Sequence, residues 1–171
     1  NPPFDTEQNL VTNVLLGEGI VASNFSSVGF ANGIGYFDGN ISNIGFTEGV
    51  ILSTGGLELV TNGFGVGSAV SGDSDLELAL NAINLTWGVN NVTVLEFDFI
   101  PTSDSVNFGF IFASDEYLTW INSSYNDAFG LFLSGPGISG PYSNNAINLA
   151  FVPNSVPQLP VTVSSVNNVL N

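Results

Sequence analysis

Fifteen Asp and Glu residues stand in this chain with no Lys, Arg or His to oppose them, for a formal charge of −15. Repulsion among the acids is therefore offset by no internal salt bridge, and each carboxylate must be solvated, protonated or bound to a metal ion. A fold for such a chain has to place its acids where one of those three is available. The apolar residues, 44% of the 171, come in short runs broken by Gly, Asn, Ser and Pro. They are ample for a packed core, and the length suits one domain spanning 1–171. No run approaches the roughly 20 apolar residues that would span a bilayer.

The same charge excludes classes of partner. Phosphate recognition rests on Lys and Arg, so nucleic acid and anionic lipid surfaces are disfavoured. Cations are the natural counterpart, and Ca²⁺ takes the carboxylate, carbonyl and amide oxygens that this sequence has in quantity. The absence of Cys removes disulfides, thiolate zinc sites and thiol redox chemistry. Without His, the commonest transition-metal ligand and acid–base catalyst is missing too. A chain that also lacks Met, and offers trypsin-like proteases no Lys or Arg, suits long exposure outside a cell.

Periodicity assigns the elements. Leu10, Val11, Val14 and Leu15 recur at helical spacing behind Asp5 and Thr6, either of which can cap, and Gly17 can end the turn, so 7–16 reads as a short helix. SGDSDLELALNAIN reads as a second helix capped by Asp73 or Ser74, with Leu76, Ala79, Leu80 and Ile83 on one face; the alternation of Leu76, Leu78 and Leu80 fits a strand equally well. Elsewhere strands are expected at 19–22, 50–53, 92–100, 105–113, 128–133, 147–152 and 161–166, with turn residues between them. Together these suggest a mainly all-β domain, a β-sandwich or jelly-roll-like fold with one or two short helices. In SVNFGFIFA (105–113) both faces are apolar, which places the strand centrally and covered on both sides. In VTVLEFDFI, Leu95, Phe97 and Phe99 face the core, and Glu96 and Asp98 face water or a ligand. The Gly-rich stretch 62–72 is a long loop that fits neither a P-loop nor a dinucleotide fingerprint.

Acids gather in three places. Asp73 and Asp75 form a DxD in a turn, Asp115 and Glu116 end the Phe-rich strand, and Asp127 opens the next one. A hairpin between 105–113 and 128–133 would bring Asp127 to the end of the sheet that holds Asp115 and Glu116. Adjacent strand residues point to opposite faces, so both acids enter one site only where the strand breaks. Asp115, Glu116 and Asp127 are then either Ca²⁺ ligands, with backbone and Asn carbonyls completing the six to eight oxygens that the ion takes, or solvated strand-end acids. Asp73 and Asp75 either add to a metal site or cap a helix and close an Asx-turn. Tyr117, Trp120 and Tyr125 either cover the end of the sandwich or contact a glycan or a partner protein. Catalysis has few routes without His or Lys, and the chain is expected not to be an enzyme; a carboxylate pair at Glu96 and Asp98 is the one glycosidase-like arrangement on view.

The segments LVTNVLLGEGIVASN, GYFDG, GVILSTG, SGDSDLELA and VLEFDFIP, followed by FGFIFASDEY, NDAFGLFLSGPG and NLAFVPNSVPQLPVTVSSVN, resemble the choice-of-anchor L domain of bacterial and archaeal extracellular proteins. The likeness covers nearly the whole chain. It implies a secreted protein of the cell surface, with an acidic pair and a Tyr where Asp115, Glu116 and Tyr117 stand and an Asn-Asp where Asn126 and Asp127 stand. No sorting signal follows the VTVSSVN strand, so the expectation is a domain secreted free or held by copies of itself. Without Lys, isopeptide cross-links are closed to its side chains. The function expected is a structural subunit of an extracellular filament or surface layer, a homo-polymer built without covalent links by strand addition or by exchange of the terminal segments NPPF and VNNVLN, and stabilised by Ca²⁺. The alternative is a Ca²⁺-dependent adhesin or glycan-binding module.

Overall fold

The computed structural model describes residues 4–17, 19–57, 70–83, 85 and 88–166. They form mostly strands, paired antiparallel in four two-stranded sheets, with two short α-helices. The chain divides into two compact units, Asn1–Ser71 with Asn90–Ile111, and Gly72–Val89 with Phe112–Asn171. Among the described residues no helix is long and apolar enough to cross a membrane.

The first unit begins with helix α1 (Glu7–Leu10), which runs into a π-helical turn, Val11–Leu15. Thr6 caps it, its hydroxyl accepting from Asn9 N–H at 3.2 Å, as an N-cap oxygen should. Leu10 and Val11 are buried and Val14 and Leu15 half-buried, so the helix expected over 7–16 is present as one α-helical turn continued by a π turn. Strand β1 (Ile20–Val28) pairs with β4 (Val94–Pro101), in register from Ile20 opposite Pro101 to Val28 opposite Val94. Between Ser23 and Ser26 the register slips by one residue. There Asn24 takes a left-handed φ of 54° and donates from Nδ2 to Asp98 Oδ2 at 2.6 Å, a bulge placed where Asn tolerates positive φ. Along β4, Leu95, Phe97 and Phe99 are half-buried while Glu96 and Asp98 are exposed, which is the alternation read from the sequence.

Strand β2 (Ile34–Asp38), not foreseen in the sequence, pairs with β3 (Glu48–Leu52). Gly49 opposes Phe37, whose ring lies over the glycine: a Cβ there would stand 2.5 Å from it. Tyr36 stacks on Phe4 at 4.4 Å and donates to Glu48 Oε2 at 3.1 Å. The same hairpin sets Asp38 opposite Glu48, a like-charge pair with no side-chain cation to offset it.

Residues 105–113, expected as a central covered strand, lie in no ladder among the described residues. In the first unit's part of this segment, Val106 is 47%, Phe108 42% and Ile111 51% exposed. The hairpin expected between 105–113 and 128–133 is likewise not formed. The reason is that alternation specifies which residues share a face but not which strand will pair with them. Gly109 instead packs against the ring of Phe46, which a Cβ would approach to 2.9 Å.

In the second unit, helix α2 (Ser74–Asn81) resolves the ambiguity of SGDSDLELALNAIN in favour of the helix, with Ala79 and Leu80 buried. The expected strand 128–133 is two strands with different partners: β5 (Ala128–Phe129) pairs with β8 (Val161–Thr162), and β6 (Phe132–Leu133) pairs with β7 (Ile147–Asn148). The break falls at Gly130, where a Cβ would meet the Phe132 ring at 2.5 Å and Leu76 at 3.2 Å. The expected strand 161–166 also stops early. Ser165 Oγ accepts from Thr162 N–H at 2.9 Å and donates to the Pro160 carbonyl at 2.5 Å, folding the chain back on itself after β8. Around this turn sits the unit's core of Ala146, Ala150, Val161, Thr162 and Val163. The terminal segments NPPF and VNNVLN, apart from Phe4 and Val166, and the loop residues 62–69 lie outside the described residues.

Candidate functional site

All five acids singled out from the sequence belong to the second unit. From Asp115 the chain coils through turns, with Trp120 N–H bonded to the Glu116 carbonyl at 3.1 Å and Ser123 N–H to the Trp120 carbonyl at 3.1 Å. The break that would let neighbouring acids escape strand parity is therefore present. Asp115 turns out to solvent, and Glu116 turns partly inward.

Ser114 ties the corner together. Its Oγ donates to Asp127 Oδ2 at 2.6 Å and accepts from Glu116 N–H at 3.1 Å. Asp127 in turn is held at the start of β5, its carbonyl accepting from Val163 N–H at 3.0 Å. Asn126 Oδ1 accepts from Ser164 N–H at 3.0 Å, and Ser164 Oγ accepts from Asn122 N–H at 3.0 Å. Asp127 thus reaches Glu116 as the sequence suggested, but through a serine bridge and the β5–β8 ladder instead of a hairpin. Nothing in the apolar patterning singles out Ser114; its place between the strand end and the acids is the only signal it carries.

Electrostatically the corner is strained by like charge. Burial first, and then the negative charges of Asp127 and Asp115, push the Glu116 carboxyl above its ordinary range, against a backbone hydrogen bond from Asp127 that lowers it. Burial, with Asp127 behind it, likewise raises the Tyr117 phenol. Glu116 Oε2, Tyr117 OH and Asn126 Nδ2 are each buried without a hydrogen-bond partner among the described residues, an uncommon arrangement for buried polar atoms.

The other candidates fall differently. Asp73 caps α2, accepting from Asp75 N–H at 3.1 Å and Leu76 N–H at 2.8 Å. Asp75 accepts from Ser143 N–H and Oγ at 2.8 and 2.9 Å, fastening the 3₁₀ turn Ser143–Asn145. Among the described residues no three acids are gathered as a metal-ligand set; what the fold brings together is Glu116 beside Asp127, with Asp115 near. Trp120 and Tyr125 meet edge-on at 5.2 Å and 72°, both exposed, whereas Tyr117 is half-buried.

Neither curated proteins nor solved structures give a match to this chain. The model of one family does match, over residues 2–171, and its domain occurs in surface-anchored proteins. That span takes in both units, the β1–β4 and β5–β8 ladders and the acidic corner. The chain belongs to the choice-of-anchor L domain family.

Proposed function

We propose that the protein is a non-catalytic structural subunit of an extracellular filament or surface layer, assembling without covalent links by strand addition. The observation that carries this reading is the segment 105–111, which lies outside every described ladder and exposes Val106, Phe108 and Ile111. An exposed run that is apolar on both faces, with Val106 and Phe108 on one and Ile111 on the other, is a template for another strand. In the assembled state a second copy adds a strand beside it, and the two-stranded ladders are completed into the β-sandwich of jelly-roll type that the sequence suggests. Exchange of a terminal segment is the other non-covalent route, and a head-to-tail contact of either kind propagates into a fibre.

Copies that each carry −15 repel one another, and a divalent cation, Ca²⁺ by the hardness of the available oxygens, offsets that repulsion. Glu116 and Asp127 are the carboxylates proposed to hold it, since Glu116 Oε2 is buried beside Asp127 and lacks a partner among the described residues. With only two such carboxylates at hand, carbonyl oxygens or a neighbouring copy would complete the coordination. Negative-stain microscopy and light scattering of the purified protein, with Ca²⁺ and with chelator, test the reading. Ordered polymer that forms with Ca²⁺ and is lost in Phe108→Asp is expected. A chain that stays monomeric at high concentration with Ca²⁺, or Phe108→Asp that polymerises as the parent does, refutes it.

A second reading, a Ca²⁺-dependent adhesin or glycan-binding module, is favoured by the exposed Trp120 and Tyr125 rings. Binding on a glycan array that Trp120→Ala abolishes would decide for it.

A further inference from the structure

The tripeptide Asn-x-Ser/Thr, the acceptor of N-linked saccharide, occurs five times, at Asn24, Asn40, Asn84, Asn91 and Asn122. In a chain this rich in Asn and Ser the motif arises by composition alone, so the fold has to discriminate. Asn24 sits in β1 with its Nδ2 committed to Asp98. Asn40 Nδ2 donates to Asp38 Oδ1 at 2.8 Å, and Ser42 Oγ to the Gly39 carbonyl at 2.9 Å. In Asn91-Val92-Thr93 the middle residue is buried, and Thr93 Oγ1 donates to the Ser53 carbonyl at 2.7 Å. Asn84 lies outside the described residues. Asn122-Ser123-Ser124 is different. Asn122 and Ser124 are both exposed, and among the described residues neither the Asn122 carboxamide nor the Ser124 hydroxyl makes a hydrogen bond. Asn122 is the third residue of the turn closed by Ser123 N–H on the Trp120 carbonyl, and it takes the positive φ, 59°, that such a position asks for and Asn tolerates. Its N–H donates to Ser164 Oγ at 3.0 Å. Amide and hydroxyl are thus displayed on a turn that is held in place, and modifying them breaks no bond that the fold uses.

We infer that Asn122 carries an N-linked saccharide whose first sugar packs against the Trp120 ring. Trp120 opens the turn in which Asn122 stands third, so a sugar on Nδ2 begins beside the indole. Trp120 is 44% and Tyr125 61% exposed, and the apolar C–H face of a sugar is the complement of such rings. The donor is a sugar joined through C1 to a lipid phosphate, brought to the chain by a transferase of the export pathway. Asn122 Nδ2 attacks C1: the N–C1 bond forms, the C1–O bond to phosphate breaks, the lipid phosphate leaves with the electron pair of that bond, and one amide proton passes to solvent. Ser124 supplies the hydroxyl at the second position after the Asn, which the acceptor motif requires. The inference rests on export, in keeping with a family that occurs in surface-anchored proteins, and not on polymerisation or a bound cation. It gives Trp120 the chain's own sugar to cover it in place of a foreign one.

Mass spectrometry of the protein isolated from its native cells tests it, after digestion by a protease specific for Glu and Asp, which releases residues 117–127 as one peptide. That peptide should carry the mass of a saccharide on Asn122, and the peptides that hold Asn24, Asn40 and Asn91 should have the mass of their sequence alone. Ser124→Ala, made in the same cells at an exposed position where folding is undisturbed, should abolish the modification while leaving Asn122 in place. Acrylamide quenching of the Trp emission should be stronger in Asn122→Gln than in the native protein, because the indole is then uncovered. Three results overturn the proposal: Asn122 unmodified in the native protein; saccharide confined to the other acceptor motifs; or saccharide on Asn122 that persists in Ser124→Ala. Equal quenching of the native protein and Asn122→Gln overturns the seating of the sugar on Trp120.

Discussion

Replacing Glu116 by Gln removes the middle one of three neighbouring negative charges and keeps the shape of the side chain. In the native corner Glu116 is raised by burial and by Asp127 and Asp115, and Tyr117 is the remaining titratable group packed there. A carboxyl with a raised folded-state pKa binds its proton more tightly folded than unfolded. Its full contribution to stability is then present below the ordinary value of 4.5 and is lost as pH rises through the raised value. At neutral pH wild-type Glu116 therefore destabilises the fold, and Gln does not. The group is partly exposed, so the gain is discounted for solvent to about 0.5–1 kcal/mol. For a domain of this size that is a rise in Tm of about 1–4 °C.

Calorimetric melts of both proteins in chelator, at about pH 7 and about pH 4, measure it. The variant should melt higher at neutral pH, and the two curves should converge in acid. Comparing variant with parent at each pH cancels the general relief of repulsion that acid brings to a chain of charge −15. Adding Ca²⁺ at neutral pH should then raise the parent more than the variant, because a ligand that binds the folded state stabilises it in proportion to its affinity. A variant that melts lower in chelator, or a difference that persists unchanged at about pH 4, refutes the electrostatic reasoning. Equal gains with Ca²⁺ leave the pKa argument standing and remove Glu116 from the proposed cation site.

Two further substitutions test how the second unit is held. Asp73→Ala removes the cap of α2 and should destabilise by about 1 kcal/mol, whereas Asp73→Asn, which keeps the accepting oxygen, should change stability by only a few tenths; chemical denaturation that gives equal losses would show that charge and not capping is at stake. Ser165→Ala strands the buried Thr162 N–H and the Pro160 carbonyl and should lower stability by about 1–3 kcal/mol. A denaturation midpoint that does not move would mean that the turn after β8 is held by other contacts.

Local rules carried the sequence reading a definite distance. Apolar spacing marked α1, left the DLELAL stretch open between helix and strand with Asp73 or Ser74 as its cap, and showed the alternation of Leu95, Phe97 and Phe99 with Glu96 and Asp98. The absence of any basic side chain confined the acids to solvent, protonation or a metal. All of these depend on residues a few positions apart.

What only the tertiary structure decided is the pairing. The sequence marks 105–113 as apolar on both faces, yet which strand covers it is a matter of contacts with distant residues, and no ladder among the described residues includes it. The expected strand 128–133 divides at Gly130, against which Leu76 of α2 lies, and its halves pair with the distant β8 and β7. The serine bridge of Ser114 to Asp127 arises in the same way. A side chain's periodicity is written in its neighbours along the chain; its hydrogen-bond partners are chosen only when remote segments meet.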